Sequence, residues 1–380
     1  MSTRVLFITH VSPMAGANRS MFQLIKELKD SYDVYPVVLC PYKNSNICIQ
    51  DKLKEIGVEF IEMPIHFFKT PNPSFRSFLS HIKYIYRQRF FYKSLKRYSF
   101  DIIHSNSSVI DIGAYLSFQL NCKHIWHLRE FGDLDYSLYP LGGKLYERFI
   151  YSRADSYIAI SNVVKNHFYK KVDSNKIRLI YNGIELVDPI YYSKHNNNVL
   201  NFVCLGIIAP AKNQIEIVRA SDILINKYKL NGFHVTFVGI QSNKYKNEIV
   251  KLVQQFHIED YISILNEVDN VQDILKNMDV GIMSSRAEAF GRVTIEYMLQ
   301  NLLVIANDSG ANPELIQHLK TGLIYKHDDC VDLANMMLLA IQDPSIINEL
   351  SSNALRVARN NFLSVHNTKL IYSLYESVLN

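Results

Sequence analysis

Residues 279–308 read "DVGIMSSRAEAFGRVTIEYMLQNLLVIAND", and the order of patterns inside them decides the fold. "DVGIMSS" is a short apolar run closed by small polar residues, as in a strand covered on both faces. "RAEAFG" brings a glycine to the point where the chain turns, and "RVTIEYMLQ" can start the next helix. "LLVIAND" returns to a buried strand, so the stretch reads as a βαβ unit. Two carboxylates flank the Phe-Gly turn, Glu288 in the approach loop and Glu296 inside the helix, with seven residues between them. Isolated surface charges need neither that glycine nor the apolar strand before it. The amides around Phe290, Gly291, Arg292 and Val293 open a helix, whose positive end suits an anionic ligand.

Working outward, the same alternation recurs on both sides. "RVLFITHV", "YDVYPVVLC", "GVEFIEM", "FDIIHS", "KHIWHL", "SYIAIS" and "KIRLIYNG" are strand-like runs separated by segments able to form helices. "NFVCLG", "FHVTFVG" and "YISIL" begin a second series that leads into the opening stretch. Repeated βα units predict doubly wound parallel sheets rather than an antiparallel sandwich. At about 150 residues per domain, a chain of this length holds two. Between the series, "LVDPIYYSKHNNN" loses its periodicity and combines a proline with three asparagines. We therefore expect a first domain over 1–187, a linker over 188–199 and a second domain over 200–363. Helices are expected near 329–342, 345–360 and 364–378, the last, in 364–380, packing back across the domain junction.

Apolar residues make up 48% of the chain and charged residues 20%, which excludes disordered and fibrous classes. The five cysteines are scattered and odd in number, favouring a reducing compartment over a disulfide framework. "MSTRVLFITHVSPM" reads as a strand feeding a loop rather than a leader, and no run of eighteen apolar residues suggests a membrane span. A net charge of +5 is too small to point to nucleic acid, and none is expected as a partner. No acidic cluster is read as a metal site.

"EAFGRVTIE" closely resembles the donor-binding signature of the retaining glycosyltransferases of the large sucrose-synthase-like family, called family 4. Its members have two Rossmann-like domains facing a central cleft, the GT-B fold. The resemblance implies that Glu288 approaches the transferred sugar, that Glu296 binds the nucleotide ribose, and that the amides of Phe290, Gly291 and Arg292 hold the diphosphate. "VIANDSGANPELI" continues the match: Ser309 and Gly310 are expected to let the loop approach the nucleotide, and Pro313 and Glu314 to start a helix. In "GIIAPAKNQIEIV", Lys212 stands at the family's basic diphosphate-binding position. Where family members commonly carry an arginine after Gly206, this chain has Ile207; Arg292 is the candidate to supply part of that charge.

In the first domain, "THVSPMAGANRSMFQLIKEL" gives a Gly-containing loop between strand and helix. There Gly16 permits close approach and Ala17 or Asn18 presents backbone groups to a diphosphate or acceptor. His127 in "KHIWHLRE" matches a family histidine close to the donor sugar or its phosphate. His104 in "DIIHSN" is read as bonding local backbone. Asn182 and Gly183 in "YNGIEL" are read as positioning residues before the crossover. The resemblance thus makes His127, Lys212 and Glu288 the catalytic candidates. The donor, a uridine or guanosine diphosphate sugar, is assigned to Gly16, Ala17, Lys212, Phe290, Gly291, Arg292 and Glu296, with no obligate cofactor. A glycan or polyprenyl-diphosphate-linked acceptor is implied. Two other classes stay open: a nucleotide-sugar or glycan-binding module that lost transfer with Ile207, and a sugar-nucleotide epimerase.

Residues 66–98 contain eight Lys or Arg and no Asp or Glu. Phe75, Phe78, Ile82, Ile85, Arg89 and Tyr92 are read as one mixed helical face, suited to an anionic membrane surface or a lipid-diphosphate acceptor. The competing reading is packing against the domain core. A cytoplasmic location with peripheral attachment to the inner face of the cell membrane follows as the expectation.

Overall fold

The computed structural model describes residues 2–88, 90–186, 199–240, 242–268 and 270–380. Apart from Val199, the expected linker over 188–199 lies outside the described residues, as does Arg89. The chain divides into two units, residues 1–185 with 364–380 and residues 186–363.

The first unit is built on a seven-stranded parallel sheet. Its strands are β1 (Thr3–Ile8), β2 (Val34–Cys40), β3 (Glu59–Glu62), β4 (Ile102–Ser105), β5 (Lys123–Leu128), β6 (Ser156–Ala159) and β7 (Ile177–Leu179), arranged β3-β2-β1-β4-β5-β6-β7. Both faces are covered. Val5 and Phe7 pack with Val38, Ile102 and Ile125 in one core cluster, while Leu6 and Ile8 join Val37, Leu39 and Ile103 in another. This explains why "RVLFI" is continuously apolar: with a period of two, neither face can be polar. Each such fully buried side chain contributes about 1.5–3 kcal/mol.

Three helices of this unit matter below: α1 (Gly16–Ser31), α2 (Phe75–Gln88) and α3 (Gly143–Tyr151). The second unit has a six-stranded parallel sheet, β8 (Leu200–Leu205), β9 (Phe233–Val238), β10 (Ile262–Leu265), β11 (Val280–Met283), β12 (Leu303–Asn307) and β13 (Leu323–Tyr325). Its order is β10-β9-β8-β11-β12-β13. Between β11 and β12 runs α4 (Arg292–Leu299). Helices Cys330–Gln342 and Pro344–Asn361 bury Leu333, Met337, Ile347 and Leu350 against this sheet. Both units are Rossmann-like.

The last helix, α5 (Ser364–Leu379), belongs to the first unit. Ile371, Leu374 and Tyr375 enter the core beside α1, with the Tyr32 and Tyr372 rings 4.5 Å apart. Gly183 is required where this helix starts, because a Cβ there would collide with the Ser364 backbone. Among the described residues no single helix is long and apolar enough to cross a membrane.

Candidate functional site

In each sheet the strand order reverses beside the first strand, between β4 and β1 in one unit and between β11 and β8 in the other. Connections leave such a pair of strands toward opposite faces, so a crevice opens at their carboxyl ends, where ligands of open α/β sheets bind. Lys212 and Glu288 stand on the two loops that leave β8 and β11.

Several bonds fix these loops to each other. After β8 the chain makes a single turn, Pro210–Lys212, ended by Asn213 with φ of 52°. Ser284 Oγ, just past β11, donates to the Lys212 carbonyl at 2.7 Å, and the Arg286 amide donates to the Ala211 carbonyl at 3.0 Å. The result is an ion pair, Lys212 Nζ to Glu288 Oε2, at 2.8 Å. The Gly291 amide donates to the other carboxylate oxygen at 3.2 Å. Burial alone would push the Glu288 carboxyl up, but the Lys212 charge and these hydrogen bonds outweigh it and hold it below its usual range. Burial likewise opposes the Lys212 ammonium, and Glu288 more than compensates, raising its pKa. The pair is therefore charged at neutral pH.

Gly291 adopts φ of 89° at the start of α4. Phe290 is 3% exposed and packs against Phe362, so only its backbone can serve a ligand. Arg292, proposed from sequence for the diphosphate, instead has its Nε 2.9 Å from Glu296 Oε1, one helical turn on. Each carboxylate of the signature thus holds a cation.

Ser309 and Gly310 also have a structural task. A Cβ on Gly310, whose φ is 58°, would strike the Glu288 backbone. The Ala311 amide donates to the Glu288 carbonyl at 2.9 Å, and Ser309 Oγ to the Ser285 carbonyl at 3.1 Å. Asn307 Nδ2 adds a bond to Ser285 at 2.9 Å. The "ANDSGA" loop therefore clamps the loop that carries Glu288. Pro313 and Glu314 lie in the short helix Asn312–Leu315. Ile207 is 54% exposed, an apolar side chain where the resemblance called for a charge. A cavity of about 450 Å³ lies nearby, lined by Asn213, Glu216, Arg219, Tyr245, Arg286 and Asp328 among others, but Lys212 and Glu288 are not in its wall. The loop bonds, rather than that cavity, locate the site.

In the first unit, α1 opens at Gly16, where an added Cβ would meet nothing within 4 Å. Its φ is not left-handed, so the fold itself does not require glycine there. The Ala17 carbonyl accepts from Asn106 Nδ2 at 3.1 Å. Asn18 spends its side chain locally, donating to the Val11 and Pro13 carbonyls at 2.8 Å each.

His127, at the end of β5, is fully buried. Its Nδ1 lies 3.0 Å from His104 Nε2, and His104 Nδ1 lies 2.6 Å from Tyr375 Oη. His127 Nε2 has no hydrogen-bond partner among the described residues. His104 is thus a link in a side-chain chain and does not bond local backbone as the sequence reading had it. Burial foremost, and then the Arg129 charge, pushes both imidazoles well below 6.5, so both are neutral. Apart from Asn182, sequence reasoning missed the polar residues around them. Arg129 Nε donates to Asn106 Oδ1 at 2.8 Å, and its guanidinium also bonds Asn182. Glu130 accepts from Ser107 Oγ and the Ser108 amide at 2.6 Å each. The signal was an Arg-Glu pair directly after the apolar strand "HIWHL".

Among the described residues no group of three or more His, Cys, Asp or Glu could hold a metal ion. One Asp-x-Asp triplet does occur, at Asp133 and Asp135. However, Asp133 pairs with His167 and Lys171, while Asp135 accepts from the Phe131 and Gly132 amides. All five cysteines are free.

Comparison with known proteins assigns each half a family model. Residues 14–188 match Glycosyltransferase Family 4 and residues 193–357 match Glycosyl transferases group 1. The chain is 25% identical over 292 residues to N-acetyl-alpha-D-glucosaminyl L-malate synthase of Bacillus anthracis, covering 74% of this chain and 75% of that one. It is 24% identical over 303 residues to the UDP-Gal:alpha-D-GlcNAc-diphosphoundecaprenol alpha-1,3-galactosyltransferase of Escherichia coli, covering 75% and 77%. The structure of Anabaena HepE in complex with UDP-glucose superposes with a TM-score of 0.80 at 19% identity, over 98% of this chain and 99% of that one. With a glycosyltransferase model on each half and this fold throughout, the chain belongs to the glycosyltransferases of the GT-B fold.

Proposed function

We propose that the protein is a retaining glycosyltransferase that moves a sugar from a uridine or guanosine diphosphate sugar to a glycan or polyprenyl-diphosphate-linked acceptor in surface polysaccharide or glycoconjugate synthesis. One observation carries the reading: a charged Lys212–Glu288 pair, 2.8 Å apart, on the two loops at the reversal point of the second sheet. Donor binding exchanges the Lys212 partner from carboxylate to phosphate and leaves Glu288 to accept from a sugar hydroxyl. The ammonium and the first amides of α4 then stabilise the charge that grows on the leaving diphosphate. Glu296 accepts from the ribose hydroxyls, and its release from Arg292 gives that guanidinium to phosphate. Gly16 and Ala17 offer backbone groups, and His127 a neutral hydrogen-bonding group, to a ligand at the reversal point of the first sheet.

In the transfer itself the bond from the anomeric carbon to the diphosphate oxygen breaks. The acceptor oxygen bonds to the same face of that carbon, and its proton passes to the departing phosphate oxygen. This route needs no pair of carboxylates of the glycosidase kind. UDP-glucose bound to HepE, and a UDP-Gal donor in the name of the Escherichia coli relative, support a uridine nucleotide. The unpaired cysteines suit a reducing compartment, and we place the reaction on the cytoplasmic side.

A second reading, a module that binds the donor without transferring it, rests on the exposed Ile207. Titration calorimetry with UDP- and GDP-sugars, followed by product analysis, separates the two. Transfer supports the first reading, saturable binding with no product across a broad acceptor panel supports the second, and absence of nucleotide-sugar binding overturns both.

A further inference from the structure

Helix α2 carries an apolar stripe on its outer side. Phe75, Leu79, Ile82 and Tyr86 recur at steps of four, three and four, which places them on one face, and they are 76%, 45%, 38% and 58% exposed. Phe90, beyond the helix end, is 62% exposed. The inner face is fully engaged: His81 bonds Asp111 at 2.7 Å, Tyr84 donates to the Pro64 carbonyl at 3.1 Å, and the Phe78 ring packs 5.2 Å from Tyr146 of α3. Phe78 and Ile85 therefore turn inward, correcting the face read from sequence, and Lys69 is buried in an ion pair with Glu147. Arg76, Lys83 and Arg87, each one position after a stripe residue, run along its edge, and Lys93, Lys96 and Arg97 follow; all six are exposed. Nearby, α3 exposes Leu145 and Phe149.

We propose that this face docks on an anionic lipid surface, with the apolar stripe in the interface and the cations against lipid phosphates. Composition selects the occupant. A cationic edge with no acidic residue from 66 to 98 complements anionic headgroups, whereas two copies of the face would set like charges against each other. Flotation of the full chain with phosphatidylglycerol vesicles, beside phosphatidylcholine vesicles, tests this. Binding to the anionic vesicles alone is expected, weakening with salt. Phe75→Ser with Leu79→Ser, and separately Arg76→Gln with Lys83→Gln, should each lower partition roughly tenfold or more while the melting curve stays in place. Equal partition to both lipids, no partition, or indifference to both variants overturns the proposal. So does a dimer in light scattering that the apolar variant dissolves.

A second inference rests on separate atoms. Tyr375 Oη is fully buried and has His104 Nδ1 as its one polar partner among the described residues. The phenol proton therefore goes to Nδ1, His104 carries its own proton on Nε2, and His127 Nδ1 must accept it. We infer that Tyr375 is a positioning residue that, through His104, holds His127 with its proton on the unpartnered Nε2, ready to donate to a ligand oxygen that reaches the carboxyl end of the first sheet. That a ligand comes there rests on the proposed function, but the proton's position does not. Histidine-selective nitrogen NMR of the ligand-free protein should find His127 protonated at Nε2 and bare at Nδ1. In Tyr375→Phe the two tautomers should mix. A wild-type proton on His127 Nδ1, or an unchanged tautomer in Tyr375→Phe, overturns the inference whatever the activity.

Discussion

The two domains share one strand order, yet they line the reversal point of their sheets with opposite chemistry. The second domain places full charges there, Lys212 against Glu288 and Arg292 against Glu296. The first buries neutral imidazoles, His104 and His127, linked to a phenol, with Arg129 held by amide oxygens. A fold alone therefore does not dictate the chemistry at its crevice. On the proposed reading, charge that meets a diphosphate is kept partly exposed and paired, where a ligand can take over a partner. Neutral groups that orient a hydroxyl can be buried outright, because a neutral imidazole loses far less on leaving water than an ion does.

The largest break in this comparison comes from removing the charge. Lys212→Ala should raise the barrier of the chemical step by about 2–4 kcal/mol, read as single-turnover rate at saturating donor. Unchanged chemistry would remove Lys212 from its role. Glu296→Ala should weaken nucleotide-sugar binding by about 1–3 kcal/mol in calorimetry, and equal affinity would show that the ribose is held elsewhere.

Acid should separate the domains next. Burial depresses His10, His104 and His127, and takes His124 down to about 3. His104, His124 and His127 stay neutral in the folded first domain while their unfolded counterparts bind protons below about 6.5, so stability falls as pH drops through that value. Each histidine that remains neutral costs about 1.4 kcal/mol by pH 5.5. Glu288, held below its usual range, loses its contribution only in stronger acid. Hydrogen exchange between pH 7 and 5.5 should show the first domain loosening first. Earlier loosening of the second domain would contradict the assignment. The smallest effect concerns Gly16. With open space at its Cβ and no left-handed backbone, Gly16→Ala should stabilise the domain by about 0.4–1 kcal/mol. A simultaneous drop in donor affinity would mark the glycine as kept for a ligand.

The sheets were legible because strands covered on both faces leave unbroken apolar runs such as "RVLFI" and "FVCL". The loop with Lys212 and the turn with Glu288 were legible because strand, glycine turn and helix follow each other locally. What escaped the sequence is non-local. Tyr375 lies 271 positions from the histidine it bonds, and Gly310 looked like a ligand-facing glycine although the backbone it makes room for is that of Glu288. Helix α2 has large apolar residues on both faces, so periodicity alone could not say which half the domain buries. Only the contacts of Phe78, His81 and Tyr84 decide it.

The most direct test of the account is the anomeric configuration of the product. The protein is incubated under single-turnover conditions with UDP- and GDP-sugars and a panel of glycan and polyprenyl-diphosphate-linked acceptors, and the new linkage is read by NMR. The account predicts transfer from one nucleotide class with the donor's anomeric configuration kept, and loss of that product in Lys212→Ala. An inverted linkage, or full product formation without Lys212, would contradict it.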